Sequence, residues 1–188
     1  MDDVRRISKK ELNMLVMKLP SPIRAHSERS SLFASFLVER LKDKKWFLSL
    51  DIDPQNIIDA VYYHDIGKSQ IERDYHYSFY CTAPHRKKKY ESHVSEGIEV
   101  INEELLYYLP AYERPSFEWC LLKAITEHHE ELTGGGFPEG RDSRSISIVG
   151  RITAVVDRFD NILFVGSMGT FDFDSAVAEL RGAVGALD

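Results

Sequence analysis

Cysteine is scarce in this chain. Cys81 and Cys120 are the two present in 188 residues, too few for a disulfide scaffold, and they fit a reducing compartment; a cytoplasmic location is expected. Long apolar runs are also missing. No segment approaches the roughly 18 uninterrupted apolar residues of a membrane-spanning helix, and the opening "MDDVRRISKK" has no apolar leader core, so no membrane association is expected. An excess of basic residues is absent too. The 24 Lys and Arg face 30 Asp and Glu, a net charge of -6, which argues against a nucleic-acid polymer as partner. A small anionic ligand, held locally by metal ions or a few lysines, remains compatible with that balance. Finally, no pair of alternating apolar and polar runs suggests strands, no repeat recurs, and no shift in composition divides the chain. A single domain over residues 1–188 is expected.

Helical periodicity is what the sequence does contain. Ser21 and Pro22 read as an N-cap and first helical residue, opening a helix over about 21–43 with Ile23, His26, Phe33, Leu37 and Leu41 on one face. Asp53 and Pro54 repeat that signal and start a helix carrying Ile57, Val61 and His64 inward, with Gly67 as its expected stop. Residues 69–88, dense in aromatics and including the basic run "HRKKK", read as loop with short helical turns. Further helices are expected over about 90–104, bearing His93, and from Ser116, bearing His128 and His129. The segment "TGGGFPEGRDS" must break the chain. A long helix from about Ser147 carries Asp157 at the edge of its apolar stripe, and a last helix is expected over about 174–184. The fold class expected is all-α.

These helices bring chemistry with them. His26, His64, Asp65, His93, His128, His129 and Asp157 stand on inner faces or ends of several helices. A lone histidine on an apolar face is ordinarily a satisfied core residue. Seven titratable groups in one core are another matter, because each costs several kcal/mol to bury unpaired, and metal binding is a physical reason for them to gather. Mixed imidazole and carboxylate donors suit Fe, Mn, Zn, Ni or Co better than Ca or Mg. The set is too large for one tetrahedral ion and suggests two ions with one bridging carboxylate, an arrangement that can share a hydroxide and clamp a phosphate.

The order "AHSERSS", "HDIGK", "HVSEGIEVI", "HHEELTGGGFPEG", "RITAVVDRFDNI" resembles the HD-domain phosphohydrolases, and within them the HD-GYP group, bacterial signalling enzymes that hydrolyse cyclic di-GMP. The resemblance covers about residues 20–165. It implies an HD-domain helical bundle with a dinuclear metal site in its core, the expected ions being Fe or Mn, with Ni, Co or Zn as alternatives. It implies that His26, His64, Asp65 and Asp157 hold one ion and Asp65, His93, His128 and His129 the other, with Asp65 bridging. Lys68 matches the lysine that reaches a substrate phosphate. The implied reaction is attack of a metal-bridging hydroxide on phosphorus, making Asp65 and Lys68 the catalytic pair. For Glu130, next to the paired histidines, the expected role is accepting a hydrogen bond from a ligand imidazole.

The chain departs from that pattern in several places. Pro22 stands where three-metal members carry an acidic ligand, so two ions are expected. The namesake Gly-Tyr-Pro is here Gly136, Phe137, Pro138, preceded by Thr133 in place of aspartate; that loop is a candidate surface for a signalling-protein partner, and Phe137 lacks the phenolic hydroxyl. After "DRFDNI" the basic substrate-holding stretch is replaced by "LFVGSMGTF". After HDIGK the loop carries Arg73, Tyr75, His76, Tyr77, Phe79 and Tyr80, of which Arg73 and His76 are candidates to meet a nucleotide, the alternative being that the aromatics cover the core. Two other functions stay open: a catalytically weak signalling module that binds a nucleotide or protein, and a phosphohydrolase for another nucleotide. A monomer or homodimer is compatible with the sequence, and the ending "GALD" suggests a fragment of a longer protein.

Overall fold

Helix α1 (Lys9–Val16) opens on a capping box in which the Ser8 hydroxyl accepts from the Glu11 amide and the Glu11 carboxylate accepts from the Ser8 amide. This is a computed structural model, and it describes residues 8–78, 81–101, 116–166 and 173–182. Then come α2 (Ser21–Leu41), the single turn α3 (Lys45–Leu48), α4 (Pro54–Tyr62), α5 (Pro84–Ile101), α6 (Phe117–Glu127), α7 (Ile148–Asp160) and α8 (Phe173–Gly182). Two 3-10 turns, Ile66–Ser69 and Arg73–Tyr75, lie between α4 and α5, and a π turn, Asn161–Gly166, extends α7. No strand occurs among the described residues; Thr133 and Asp142 form an isolated antiparallel bridge. The all-α expectation holds.

Asp53, Ser116 and Ser147 cap α4, α6 and α7 as the sequence signals require, each side chain accepting a backbone amide of the first turn. Three expectations need correction. Helix α2 begins at Ser21 itself, with Pro20 at the cap position and no side-chain cap, because proline there already presets the backbone. The basic run at 85–89 lies in the first turns of α5, since Pro84 opens that helix six residues earlier than its apolar stripe suggests. Gly67 does not stop α4. That helix ends at Tyr62, and Gly67 belongs to the following 3-10 turn. The expected end of α5 near 104 and of α8 near 184 lie outside the described residues.

Helix α4 packs between α2 and α6, while α7 lies against both α2 and α6. Ile57, Ala60 and Val61 from α4, Leu121 and Ile125 from α6, and Val149 from α7 are wholly buried; each large aliphatic side chain among them stabilises the fold by about 1.5–3 kcal/mol. The 3-10 turn after α4 is pressed onto α5. A Cβ added at Gly67 would stand 1.9 Å from the His93 carbonyl oxygen and 2.5 Å from the Gly97 nitrogen, so the missing side chain at Gly67 allows backbone to meet backbone. That approach sets His64 and Asp65 against His93.

Candidate metal centre

The seven cluster residues come from five supports. His26 is on α2, His64 and Asp65 are in the turn after α4, His93 is on α5, His128 and His129 follow α6, and Asp157 is on α7. The structure brings them together in two groups whose donor atoms lie within 4.8 Å of one another: His26, His64, Asp65 and Asp157, and His93, His128 and His129. All are buried except His129, which is partly so.

Local hydrogen bonds aim four of the five rings. Nδ1 of His26 lies 2.7 Å from Asp160 Oδ2, that of His64 2.7 Å from Val61 O, that of His93 2.6 Å from Tyr90 O, and that of His128 2.9 Å from both Ala124 O and Ile125 O. A carbonyl or carboxylate oxygen only accepts, so each Nδ1 donates and Nε2 faces the cluster. Between the groups stands Asp65. Its Oδ2 is 3.6 Å from His26 Nε2 and 3.7 Å from His64 Nε2, while Oδ1 is 3.6 Å from His93 Nε2 and 3.8 Å from His128 Nε2.

Two observations test whether this donor set fits cations. Asp65 Oδ1 is buried without a hydrogen-bond partner, an unusual and costly state for a carboxylate oxygen. The Nε2 atoms of His93 and His128 face one another at 3.2 Å, although both rings have already donated from Nδ1. Their lone pairs therefore oppose each other. A divalent cation between imidazole nitrogens and a carboxylate would relieve both conditions, so the residues fit a metal.

Electrostatics separates the two groups. Burial pushes the pKa of His93 down to about 4 and that of His128 to about 3, and it lowers that of His129 as well. These rings are neutral. Burial also pulls on His26, but its bonds to Asp157 and Asp160 outweigh that and raise it to about 9. Burial opposes ionisation of Asp65 and Asp157, yet Lys68 and the nearby imidazoles hold Asp65 well below the ordinary carboxylate range, and His26 and His64 do so for Asp157. Lys68, buried, donates to Asp65 Oδ2 at 2.6 Å.

The other candidates are placed less uniformly. Glu130 is buried, but instead of meeting a ligand imidazole its two oxygens accept the backbone amides of Glu139 and Arg141, both at 2.8 Å; the expected bond is corrected because the glycine-rich loop folds back over the end of α6. Gly136 packs on the backbone of His129 and Glu130, where a Cβ would collide at 2.4 Å, and the Phe137 ring stacks on His129 at 4.5 Å. Pro138 is exposed and follows a cis peptide bond. Arg73 is exposed. His76 is buried, with Nε2 3.3 Å from Ile71 O and Nδ1 without a hydrogen-bond partner. Tyr77 packs on the core, and Phe79 and Tyr80 lie outside the described residues.

Sequence reasoning missed Asp160, Arg29 and Glu127. Asp160 is wholly buried, accepting from His26 Nδ1 and, in a bidentate pair, from Arg29 Nε at 2.6 Å and Nη2 at 2.8 Å. The signal was available: Asp160 lies one helical turn beyond Asp157, and Arg29 one turn beyond His26. Glu127, wholly buried, takes the Ser147 amide at 2.8 Å, Lys123 at 2.8 Å and Arg141 at 3.1 Å, tying the loop to α7.

Buried histidine and aspartate gathered from successive helices of an all-α bundle define the class of domain. The HD domain family model matches residues 23–162, and the chain belongs to that family. It is also similar to the 3'3'-cGAMP-specific phosphodiesterase 3 of Vibrio cholerae serotype O1 (strain ATCC 39315 / El Tor Inaba N16961), with 26% identity over 146 residues. That match takes in 77% of this chain and 28% of the relative, so the chain spans little more than a quarter of the relative's length. Among the described residues, no helix is long and apolar enough to cross a membrane.

Proposed function

We propose that this domain is a metal-dependent phosphodiesterase that opens a cyclic dinucleotide, cyclic di-GMP foremost, and that it stands in the HD-GYP branch of the HD family with a Gly-Phe-Pro variant of the motif. The observation that carries the reading is Asp65, whose two oxygens face two separate groups of imidazoles. One group, His26, His64, Asp65 and Asp157, would hold one divalent ion, and Asp65 with His93, His128 and His129 a second; Fe and Mn suit the donors best, and Ni, Co and Zn fit as well. Two such ions supply Lewis acidity toward phosphoryl oxygens and lower the pKa of water.

The chain's own residues do the rest. Lys68 places an ammonium beside the cluster, where charge grows on a phosphoryl oxygen as the P–O bond breaks. Asp160 and Arg29 keep the His26 ring oriented. Glu130 and Phe137 keep the loop seated on His129. Arg73 is exposed and free to meet the nucleotide, whereas His76 reaches it only if its loop moves. Similarity to a relative named for 3'3'-cGAMP supports the substrate class, because that molecule and cyclic di-GMP share the same pair of 3',5'-phosphodiester bonds.

The test is metal analysis of the purified protein, followed by incubation with cyclic di-GMP and 3'3'-cGAMP and identification of the product. Two ions per chain and a linear dinucleotide are expected. Protein that stays metal-free after reconstitution with Fe or Mn would sink the proposal. Metal and nucleotide binding without turnover would move it to a signalling module, and released inorganic phosphate to another class of phosphohydrolase.

A further inference from the structure

Four of the clustered imidazoles share one arrangement, with Nδ1–H on an oxygen acceptor and Nε2 turned inward. His129 differs. Its Nε2 lies 3.1 Å from the hydroxyl of Tyr90, and Phe137 stacks on its ring at 4.5 Å with an interplanar angle of 26°. The loop pins it further, since the Phe137 amide donates to the His129 carbonyl at 3.1 Å. Tyr90 is 8% exposed, and it touches the cluster twice: its carbonyl takes Nδ1–H of His93, and its hydroxyl engages His129.

We propose that Tyr90 is the positioning residue of the second half-site, and that it commits His129 to bind a cation through Nδ1 while His26, His64, His93 and His128 bind through Nε2. The inference rests on the two-ion reading above. A phenolic oxygen both donates and accepts. With Tyr90 accepting from Nε2–H, the ring's proton is fixed on Nε2 and its lone pair on Nδ1, and the stacked Phe137 opposes a ring flip. One residue thereby sets the tautomers of two ligands, through opposite ends of itself. The placement of Tyr90 on α5, one turn before His93, makes this a property of sequence spacing as well as of packing.

Two measurements test it. Histidine-labelled wild-type protein loaded with Zn(II) is observed by long-range proton–nitrogen spectroscopy, which reports the protonated nitrogen of each ring. His129 is expected protonated on Nε2 and the other four on Nδ1; a His129 ring protonated on Nδ1 overturns the proposal whatever any variant does. Tyr90→Phe then keeps the ring and the carbonyl and removes only the hydroxyl. Its titration with Mn(II) is expected to show the second equivalent weakened about 10- to 100-fold, the usual cost of losing a partner that orients a ligand, with the first equivalent and the circular dichroism unchanged. Unchanged affinity for both equivalents overturns the assignment while leaving the phosphodiesterase reading intact. Wild-type protein that binds neither ion removes both together.

Discussion

Replacing Gly67 by alanine tests the link between packing and the metal centre. By backbone entropy alone the change is favourable by about 0.5–1 kcal/mol. The structure reverses that sign. The new Cβ would stand 1.9 Å from His93 O and 2.9 Å from Gly97 Cα, about 1.5 Å short of ordinary contact, and every obstructing atom is backbone in a close-packed interior. The 3-10 turn must then draw away from α5, carrying Asp65 Oδ1 from its place 3.6 Å from His93 Nε2. Overpacking of this kind costs about 1–3 kcal/mol, and the absence of a flexible neighbour puts Gly67→Ala at the upper end. Gly97→Ala is the control. Its Cβ would meet Ile125 Cγ2 at 2.8 Å, with Gly67 backbone no nearer than 3.6 Å, so a buried side chain rather than backbone must shift, and the gain in helix propensity, about 1 kcal/mol, offsets part of that cost. Urea denaturation of the metal-free proteins should place the Gly67→Ala midpoint about 1 M below the parent, taking a slope of roughly 2 kcal/mol/M, with Gly97→Ala between the two. Metal titration should show Gly67→Ala weakened at both half-sites. Equal midpoints for Gly67→Ala and the parent, with two ions still bound, would refute the reasoning.

Asp160→Asn keeps the shape but leaves Arg29 without its bidentate partner and His26 without a full acceptor. It should cost about 2–3 kcal/mol, less than a fully buried pair because Arg29 is partly exposed, and weaken the first half-site about 10- to 100-fold; unchanged titration and unfolding curves would exclude the role. In metal-free protein, stability should peak near pH 6.5. Above that, the folded state holds a proton on His26 up to about pH 9, and about 3 kcal/mol is lost as pH rises through that range. Below it, the unfolded chain protonates before His93 and His128, held near 4 and 3, so stability falls with pH; a midpoint flat from pH 6.5 to 9.5 would contradict the His26 pairing. Lys68→Met should destabilise metal-free protein by about 3–5 kcal/mol, by leaving Asp65 without its buried partner, and metal-loaded protein by much less. An equal deficit in both would assign Lys68 to packing.

How much of this was legible in the sequence depended on what each residue answers to. The seven cluster residues stood out because histidines on apolar faces are conspicuous, and Asp53, Ser116 and Ser147 announced their helices because capping is local chemistry. Gly67 was misread for the opposite reason. A glycine after an apolar helix is the ordinary sign of a helix end, and its real role depends on His93 and Gly97 of α5, 26 and 30 residues later in the chain. Glu130 failed likewise: adjacency to His129 suggested an imidazole partner, whereas its partners are amides 9 and 11 residues onward, set by how the loop closes. Tyr90 stood at the expected start of the helix bearing His93, just beyond the aromatic-rich stretch, and only the fold shows that its hydroxyl meets His129.

The two half-sites pose different problems to an incoming cation. Around the first, Asp65, Asp157 and Asp160 are already matched by Lys68, Arg29 and protonated His26, so the metal-free fold holds its buried charges without a metal. An ion entering there must displace the His26 proton and compete with Lys68 for Asp65, and its binding should tighten with rising pH and release close to one proton at neutral pH. Calorimetry in buffers of different ionisation enthalpy measures that release directly. The second half-site has neutral rings, two opposed lone pairs and the unpartnered Asp65 Oδ1, so an ion there has no proton to expel from His93 or His128. The pH dependence of binding should therefore fall on one equivalent of metal and not on both. Asp65 makes this division possible, because its two oxygens meet the matched and the unmatched group separately.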